Sequence, residues 1–211
     1  MAPVSEPDTR FDSEQRDNAH PPGVEAIYWH RARNRILFRK LSKHLGPADS
    51  VLEVGCGPGV VVAYLRERGV ACTGVDLAAQ ANIVPAARKH VEGGVDAFDL
   101  PQQRRAAVSA LLLLDVLEHL PAPGDFLARC ENRFPALRTI LITLPARPEV
   151  WSTYDDYYGH YARYTLESLP QLGVPSSFRL LDCGYFFHGL YWAARAESSP
   201  QITPKIWLSA A

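Results

Sequence analysis

The chain has 211 residues, 47% of them hydrophobic and 21% charged, with a formal net charge of −1. That length suits one sizeable core rather than two, and the near-zero charge gives no reason to expect nucleic acid or an anionic membrane as an obligatory partner. No apolar run approaches the ~18 residues needed to cross a bilayer, and the first residues lack the charged-then-apolar pattern of a signal peptide, so a cytoplasmic protein is expected.

Residues 1–22 carry acids and prolines and almost no large apolar side chain, the composition of a disordered tail. From 24 to 45 the pattern turns helical, with Ile27, Tyr28, Ile36, Leu37, Leu41 and Leu45 on amphipathic spacing and Gly46-Pro47 as a stop. A strand over 50–54 leads into a glycine-rich turn, a helix over 59–68 capped by Gly69, and a second strand over 71–75. A further helix ending near His90 and a short strand around Val95 are expected before the apolar run 108–114, which reads as a central parallel strand covered on both faces. A helix over 125–134, a strand over 139–144 and a helix over 165–172 follow. Strands at 179–186 and 190–195, joined at His188-Gly189, read as an antiparallel hairpin, and 198–211, with Pro200 and Pro204, as a poorly ordered tail. This alternation predicts an α/β, Rossmann-like doubly wound sheet of about seven strands, mostly parallel, with the hairpin at its end.

The most informative stretch is Val51 to Val60, Val-Leu-Glu-Val-Gly-Cys-Gly-Pro-Gly-Val. Gly55, Gly57 and Gly59 allow a sharp turn and close approach to a ligand, Glu53 stands just before them, and Asp76 ends the next strand about twenty residues on, where a doubly wound sheet meets a ribose. A dinucleotide fingerprint would place a small residue at position 60; Val60 stands there instead. Cys56, Cys72, Cys130 and Cys183 form no C-x-x-C pair, which suggests neither a zinc site nor a disulfide framework, and Cys56 reads as a small filler beneath the ligand.

The segment from Glu53 to Gly59 resembles the E-x-G-x-G-x-G first motif of class I S-adenosylmethionine-dependent methyltransferases. The resemblance extends to Gly94-Val95-Asp96-Ala97-Phe98-Asp99-Leu100-Pro101, to LLLLDVLEHL from Leu111 to Leu120, and to Leu141-Ile142-Thr143-Leu144-Pro145, which are similar to that family's later motifs in the same order. The segment from Trp151 to Thr165 resembles the D-x-x-x-G-H-x-R-Y-T pattern of bacterial type 11 and type 12 members, with one residue more than the pattern between His160 and Arg163. The resemblance implies one domain over 23–197, with lid helices at 23–46, a cofactor core at 50–145, an acceptor-side loop and helix at 146–175 and a hairpin at 178–197. It also implies S-adenosylmethionine as cofactor, S-adenosylhomocysteine as product, and no metal.

On that reading Asp76 accepts from the ribose, Asp96 and the Ala97 N–H meet the adenine with Asp99 as the competing acid, and Leu77 and Phe98 wall it. Asp115 and the adjoining Val116 serve the methionine ammonium, and Glu53 orients the glycine loop or reaches the same ammonium through water. Arg33 or Arg35 serves the methionine carboxylate, with Tyr28 or Trp29 covering the ligand; a solvated basic face accounts equally for that helix. Methyl transfer is an in-line displacement governed by alignment, with a base needed only where the acceptor must lose a proton. His160 and His119 are the candidates for it, although a helix-start histidine bonded to backbone is the plainer account of His119, and a structural latch between this loop and the cofactor domain accounts equally for His160. Tyr157, Tyr161, Arg163 and Tyr164 are expected around the acceptor. A small-molecule acceptor with O-methylation is the favoured function. RNA or protein methylation, a non-catalytic cofactor-binding relative and an NAD-dependent oxidoreductase are the alternatives, and the oligomeric state is left open.

Overall fold

The computed structural model describes Gln15 and residues 19–79, 82–187 and 205–210, the five beyond Lys205 as backbone. Seven strands form one sheet: β1 (Ser50–Val54), β2 (Ala71–Asp76), β3 (Val91–Gly93), β4 (Ala110–Leu114), β5 (Thr139–Pro145), β6 (Leu180–Phe186) and β7 (Lys205–Ala210), in the order β3-β2-β1-β4-β5-β7-β6. The first five run parallel, whereas β7 is antiparallel to both neighbours. The chain moves outward from β1 to β3 and then crosses back to lay β4 on the other side of β1. A crevice therefore opens where the carboxyl ends of β1 and β4 diverge.

The central strands are apolar throughout because both faces are covered. Along β4, Leu111 and Leu113 pack with Phe98, Leu127 and Phe134, while Leu112 and Leu114 pack with Leu37, Leu41, Val62 and Leu65 on the opposite face. The second face is covered by α1 (Tyr28–Leu41) and α2 (Val60–Arg66), and the first by α4 (Pro123–Arg133). Helix α1 buries Asn34, Leu37 and Leu41, the three- and four-residue spacing of one helical stripe. Two shorter helices are also found among the described residues, α3 (Gln102–Ala107) and α5 (Thr153–Tyr157). No helix among the described residues is long and apolar enough to cross a membrane.

Several expectations are corrected. The partner of β6 is Lys205–Ala210, so part of the segment read as a C-terminal tail is a strand inserted between β5 and β6. The alternative partner, 190–195, lies outside the described residues. The helix expected over 165–172 is a turn at Thr165–Ser168 followed by a single 3-10 turn, Leu169–Leu172, which Pro170 and the left-handed Gly173 keep short. Between β2 and β3 only the 3-10 turn Pro85–Ala87 is found among the described residues, and the strand expected at Val95 lies earlier, at Val91–Gly93. The segment read as an N-terminal disordered tail is described at Gln15 and from Ala19 on: the Gln15 amide donates to the Tyr157 carbonyl, and the His20 ring sits beside Gly57. Its remaining residues lie outside the described ones.

Candidate active site

A cavity of about 680 Å³ fills the crevice beyond β1, β2 and β4. Its floor is the glycine loop. Gly57 has φ +51, and a Cβ there would stand 3.2 Å from the His20 ring; Gly59 has φ +79, and a Cβ there would stand 2.7 Å from both Ala87 Cβ and Val91 Cγ2. Both the backbone twist and the space thus require glycine. Asp76, at the end of β2, ties the loop down: its Oδ2 accepts from the Gly57 N–H at 2.8 Å and its Oδ1 from the Ala78 N–H at 2.9 Å. A carboxylate oxygen accepts more than one hydrogen bond, so each retains capacity toward the cavity.

Beside Asp76, Asp96 caps the 3-10 turn Ala97–Asp99 by accepting from the Phe98 N–H at 2.8 Å. Asp96, Ala97, Phe98 and Leu77 line the cavity, whereas Asp99 is exposed and does not. At the far end of this half, Arg33 from α1 donates through Nη1 to Asp115 Oδ2 at 2.9 Å; Arg35 on the same helix faces solvent. Trp29 also lines the cavity and stacks on Phe187 at 3.9 Å between centroids, while Tyr28 is 84% exposed and stands outside the lining.

Asp115 opens the turn directly after β4 with φ +60, a left-handed conformation uncommon outside glycine and tolerated by aspartate. It accepts from Arg33, from Thr143 Oγ1 at 2.9 Å and from Lys205 Nζ at 3.0 Å. Burial opposes its ionisation, yet Lys205 and Arg33 together hold the carboxyl well below the usual range. Lys205 comes from β7, a strand the sequence reading places in a tail. Glu53 lies nearby, buried, with its pKa pushed up to about 8 by desolvation. Glu53 Oε2 and Arg33 Nε have no hydrogen-bond partner among the described residues.

The other half of the cavity is built by the turn after β4 and by α5 with the loop that follows. Ser152 and Asp155 form a capping box that starts α5, and Asp155 then holds the loop. Its Oδ1 meets His160 Nδ1 at 2.8 Å and Arg163 Nε at 2.7 Å, and its Oδ2 accepts from Arg163 Nη2 at 2.9 Å. Burial raises the Asp155 pKa, but these bonds outweigh it and keep the carboxyl ionised. Arg163 also donates to the Ala146 carbonyl at 3.1 Å, which fastens the loop to the end of β5. With Nδ1 engaged, His160 presents its other face to the cavity, and the His119 ring lies 4.8 Å away, edge to face.

His160, His119, Glu118 and Val116 thus converge on the cavity. Tyr157, Tyr161, Arg163 and Tyr164 do not line it: Arg163 and Tyr164 are buried in the supporting structure, and Tyr157 and Tyr161 turn outward. The aromatic wall is instead Tyr154 and Tyr158, which pack together at 4.5 Å. Residues 152–155 carry the S-x-x-D signature of a capped helix, which foretells that positions four apart share a face.

Comparison with known proteins follows this geometry. Residues 28–180 match the family model described as a methyltransferase domain. A ubiquinone biosynthesis O-methyltransferase from Xanthomonas axonopodis is 30% identical over 131 residues, covering 57% of this chain and 54% of the relative. One from Idiomarina loihiensis is 33% identical over 110 residues, covering 48% and 44%. The chain therefore spans about half the length of the curated relatives it matches. Among solved structures, the Burkholderia thailandensis 1,6-didemethyltoxoflavin-N1-methyltransferase, with bound 1,6-didemethyltoxoflavin and S-adenosylhomocysteine, superposes with a TM-score of 0.58 at 21% identity, covering 86% of this chain and 76% of that one. An S-adenosylmethionine-dependent methyltransferase from Anabaena variabilis gives 0.62 at 12% identity, covering 93% and 90%. At these identities the likeness is one of fold.

Proposed function

The chain belongs to the methyltransferase-domain family, and from that premise we propose that it moves a methyl group from S-adenosylmethionine to a hydroxyl oxygen of a small acceptor. The observation that carries this reading is that one cavity joins a nucleoside-shaped half, with the glycine loop, Asp76 and Asp96, to a half bearing His119, His160, Tyr154 and Tyr158.

The residues present fit the cofactor. Asp76 and Asp96 supply acceptors for the ribose hydroxyls and the adenine amine, with Leu77 and Phe98 as apolar walls. The unpartnered Glu53 Oε2 and Arg33 Nε match the ammonium and carboxylate of an amino-acid end. When bound, S-adenosylmethionine supplies a sulfonium methyl open to in-line attack, leaving S-adenosylhomocysteine. The chain's own share is to hold donor and acceptor aligned and to exclude water, which accounts for much of the rate of such a displacement. Tyr154 and Tyr158 offer flat surfaces to an aromatic acceptor, and His160, fixed by Asp155, faces the acceptor half. O-methylation is favoured because the two relatives described above carry that activity in their names.

The test is transfer from methyl-labelled S-adenosylmethionine to matched panels of phenols, catechols and the corresponding amines. Label on hydroxyl oxygen supports the reading. Label on amines alone would reassign the methylated atom, and none on any small acceptor would overturn it.

A further inference from the structure

At the acceptor end of the cavity, Glu118, His119 and His160 each bring a ligand-type atom to within 4.8 Å of one another. The sequence reading expects no metal, and Glu118-His119 and His160 stand far apart in the chain. The fold closes that distance through the turn after β4 and the loop after α5: the Tyr161 N–H donates to the Glu118 carbonyl at 2.7 Å, holding the two segments together.

Glu118 is fully buried, lines the cavity, and neither of its carboxylate oxygens has a hydrogen-bond partner among the described residues. Burial pushes the pKa of this carboxyl up to about 8, the response of a buried acid with no cation bonded to it, and a buried carboxylate is as a rule either neutralised in this way, paired or bound to a metal. The nearby cations do not meet it, since Arg33 and Lys205 are both bonded to Asp115. His160 supplies an independent sign. Its Nδ1 is bonded to Asp155, a carboxylate anchored in turn by Arg163, and this carboxylate-histidine arrangement orients an imidazole and strengthens it as a ligand through the other nitrogen.

We propose that Glu118, His119 and His160 form a divalent-cation site, selective for first-row transition ions, that binds the acceptor's hydroxyl oxygen. The inference rests on the methyl-transfer reading for its purpose, though not for its geometry. One carboxylate and two imidazoles leave coordination positions open for an acceptor oxygen. Ligands about 2.1 Å from a tetrahedral ion lie ~3.4 Å apart, so the three side chains must draw together by roughly 1 Å on binding. Coordination would lower the pKa of the bound hydroxyl, whose proton passes to solvent; the ion changes no oxidation state and no further reactant is needed. The remaining oxygen nucleophile lies beside the cofactor half of the same cavity. Two imidazole ligands set Mg²⁺ at a disadvantage, since it prefers oxygen donors.

The test uses the full chain stripped with a chelator, titrated in separate experiments with Mn²⁺, Zn²⁺, Mg²⁺ and S-adenosylhomocysteine. Expected are one Mn²⁺ or Zn²⁺ per chain, much weaker Mg²⁺, and a loss of Mn²⁺ affinity of roughly 100-fold in Glu118→Gln with S-adenosylhomocysteine binding unchanged. Independently of any variant, pulsed electron spin resonance of the Mn²⁺-loaded chain is expected to show imidazole-nitrogen coupling. Absence of Mn²⁺ and Zn²⁺ binding, absence of nitrogen coupling, or retention of full affinity in Glu118→Gln would each overturn the site. Failure of S-adenosylhomocysteine to bind would instead count against the methyl-transfer reading and leave the metal result to stand alone.

Discussion

Lys205 Nζ lies 3.0 Å from Asp115 Oδ1, so the last described strand closes a charge cluster at the mouth of the central crevice. Both side chains are mostly buried, and Arg33 meets the other carboxylate oxygen. Lys205→Met should cost about 2 kcal/mol of stability, below the ~3–5 kcal/mol seen when a fully buried pair is broken because Arg33 remains. Urea unfolding measures this, and a loss under ~0.5 kcal/mol would mean that the bridge is a surface pair in energetic terms.

Asp76 anchors the Gly57 N–H and lines the cavity beside the glycine loop, where we propose that the ribose binds. Asp76→Ala should weaken S-adenosylhomocysteine binding roughly 10- to 100-fold, the range for a lost hydrogen bond to a charged group. An unchanged dissociation constant by calorimetry would remove Asp76 from the ribose contact.

Gly59→Ala combines left-handed strain with a methyl 2.7 Å from Ala87 and Val91. A destabilisation of about 1–3 kcal/mol is expected, read as a lower midpoint in thermal unfolding.

Glu53 gives a pH dependence. Burial raises its pKa to about 8, so between its ordinary value near 4.5 and 8 the folded chain holds a proton that the unfolded chain has released. Its contribution to stability is full below that window and declines as pH rises through it, with a slope of at most about 1.4 kcal/mol per pH unit. Glu53→Gln, which cannot ionise, should flatten the fall in stability from pH 5 to 8. An unaltered profile would place the carboxylate in a better solvated environment than its burial indicates.

The cofactor half of the site is legible in the sequence because its signals are local. The glycine turn, the strand before it and the carboxylate of Asp76 follow from spacing over two successive strands, Asp96 follows from the resemblance of its segment to a known motif, and Gly57 and Gly59 occupy positions that demand glycine. Strand β7 is not legible in the same way: it is short, follows Pro204, and is stabilised by pairing with β5 and β6, distant segments that no local pattern announces. Lys205 is missed with it. The acceptor half lies between these cases. His119 and His160 stand out one by one, but only the fold shows that Arg163 is a fastener and that Tyr154 and Tyr158, rather than Tyr157 and Tyr161, face the cavity. The capping box at Ser152 and Asp155 carries the missing local information, since it fixes the phase of α5.

The most direct measurement is calorimetric titration of the purified chain with S-adenosylhomocysteine and, in parallel, NADH. Binding of S-adenosylhomocysteine alone, weakened in Asp76→Ala, is the expected result. Binding of NADH, or of neither ligand, would contradict the assignment of this cavity to a methyl donor.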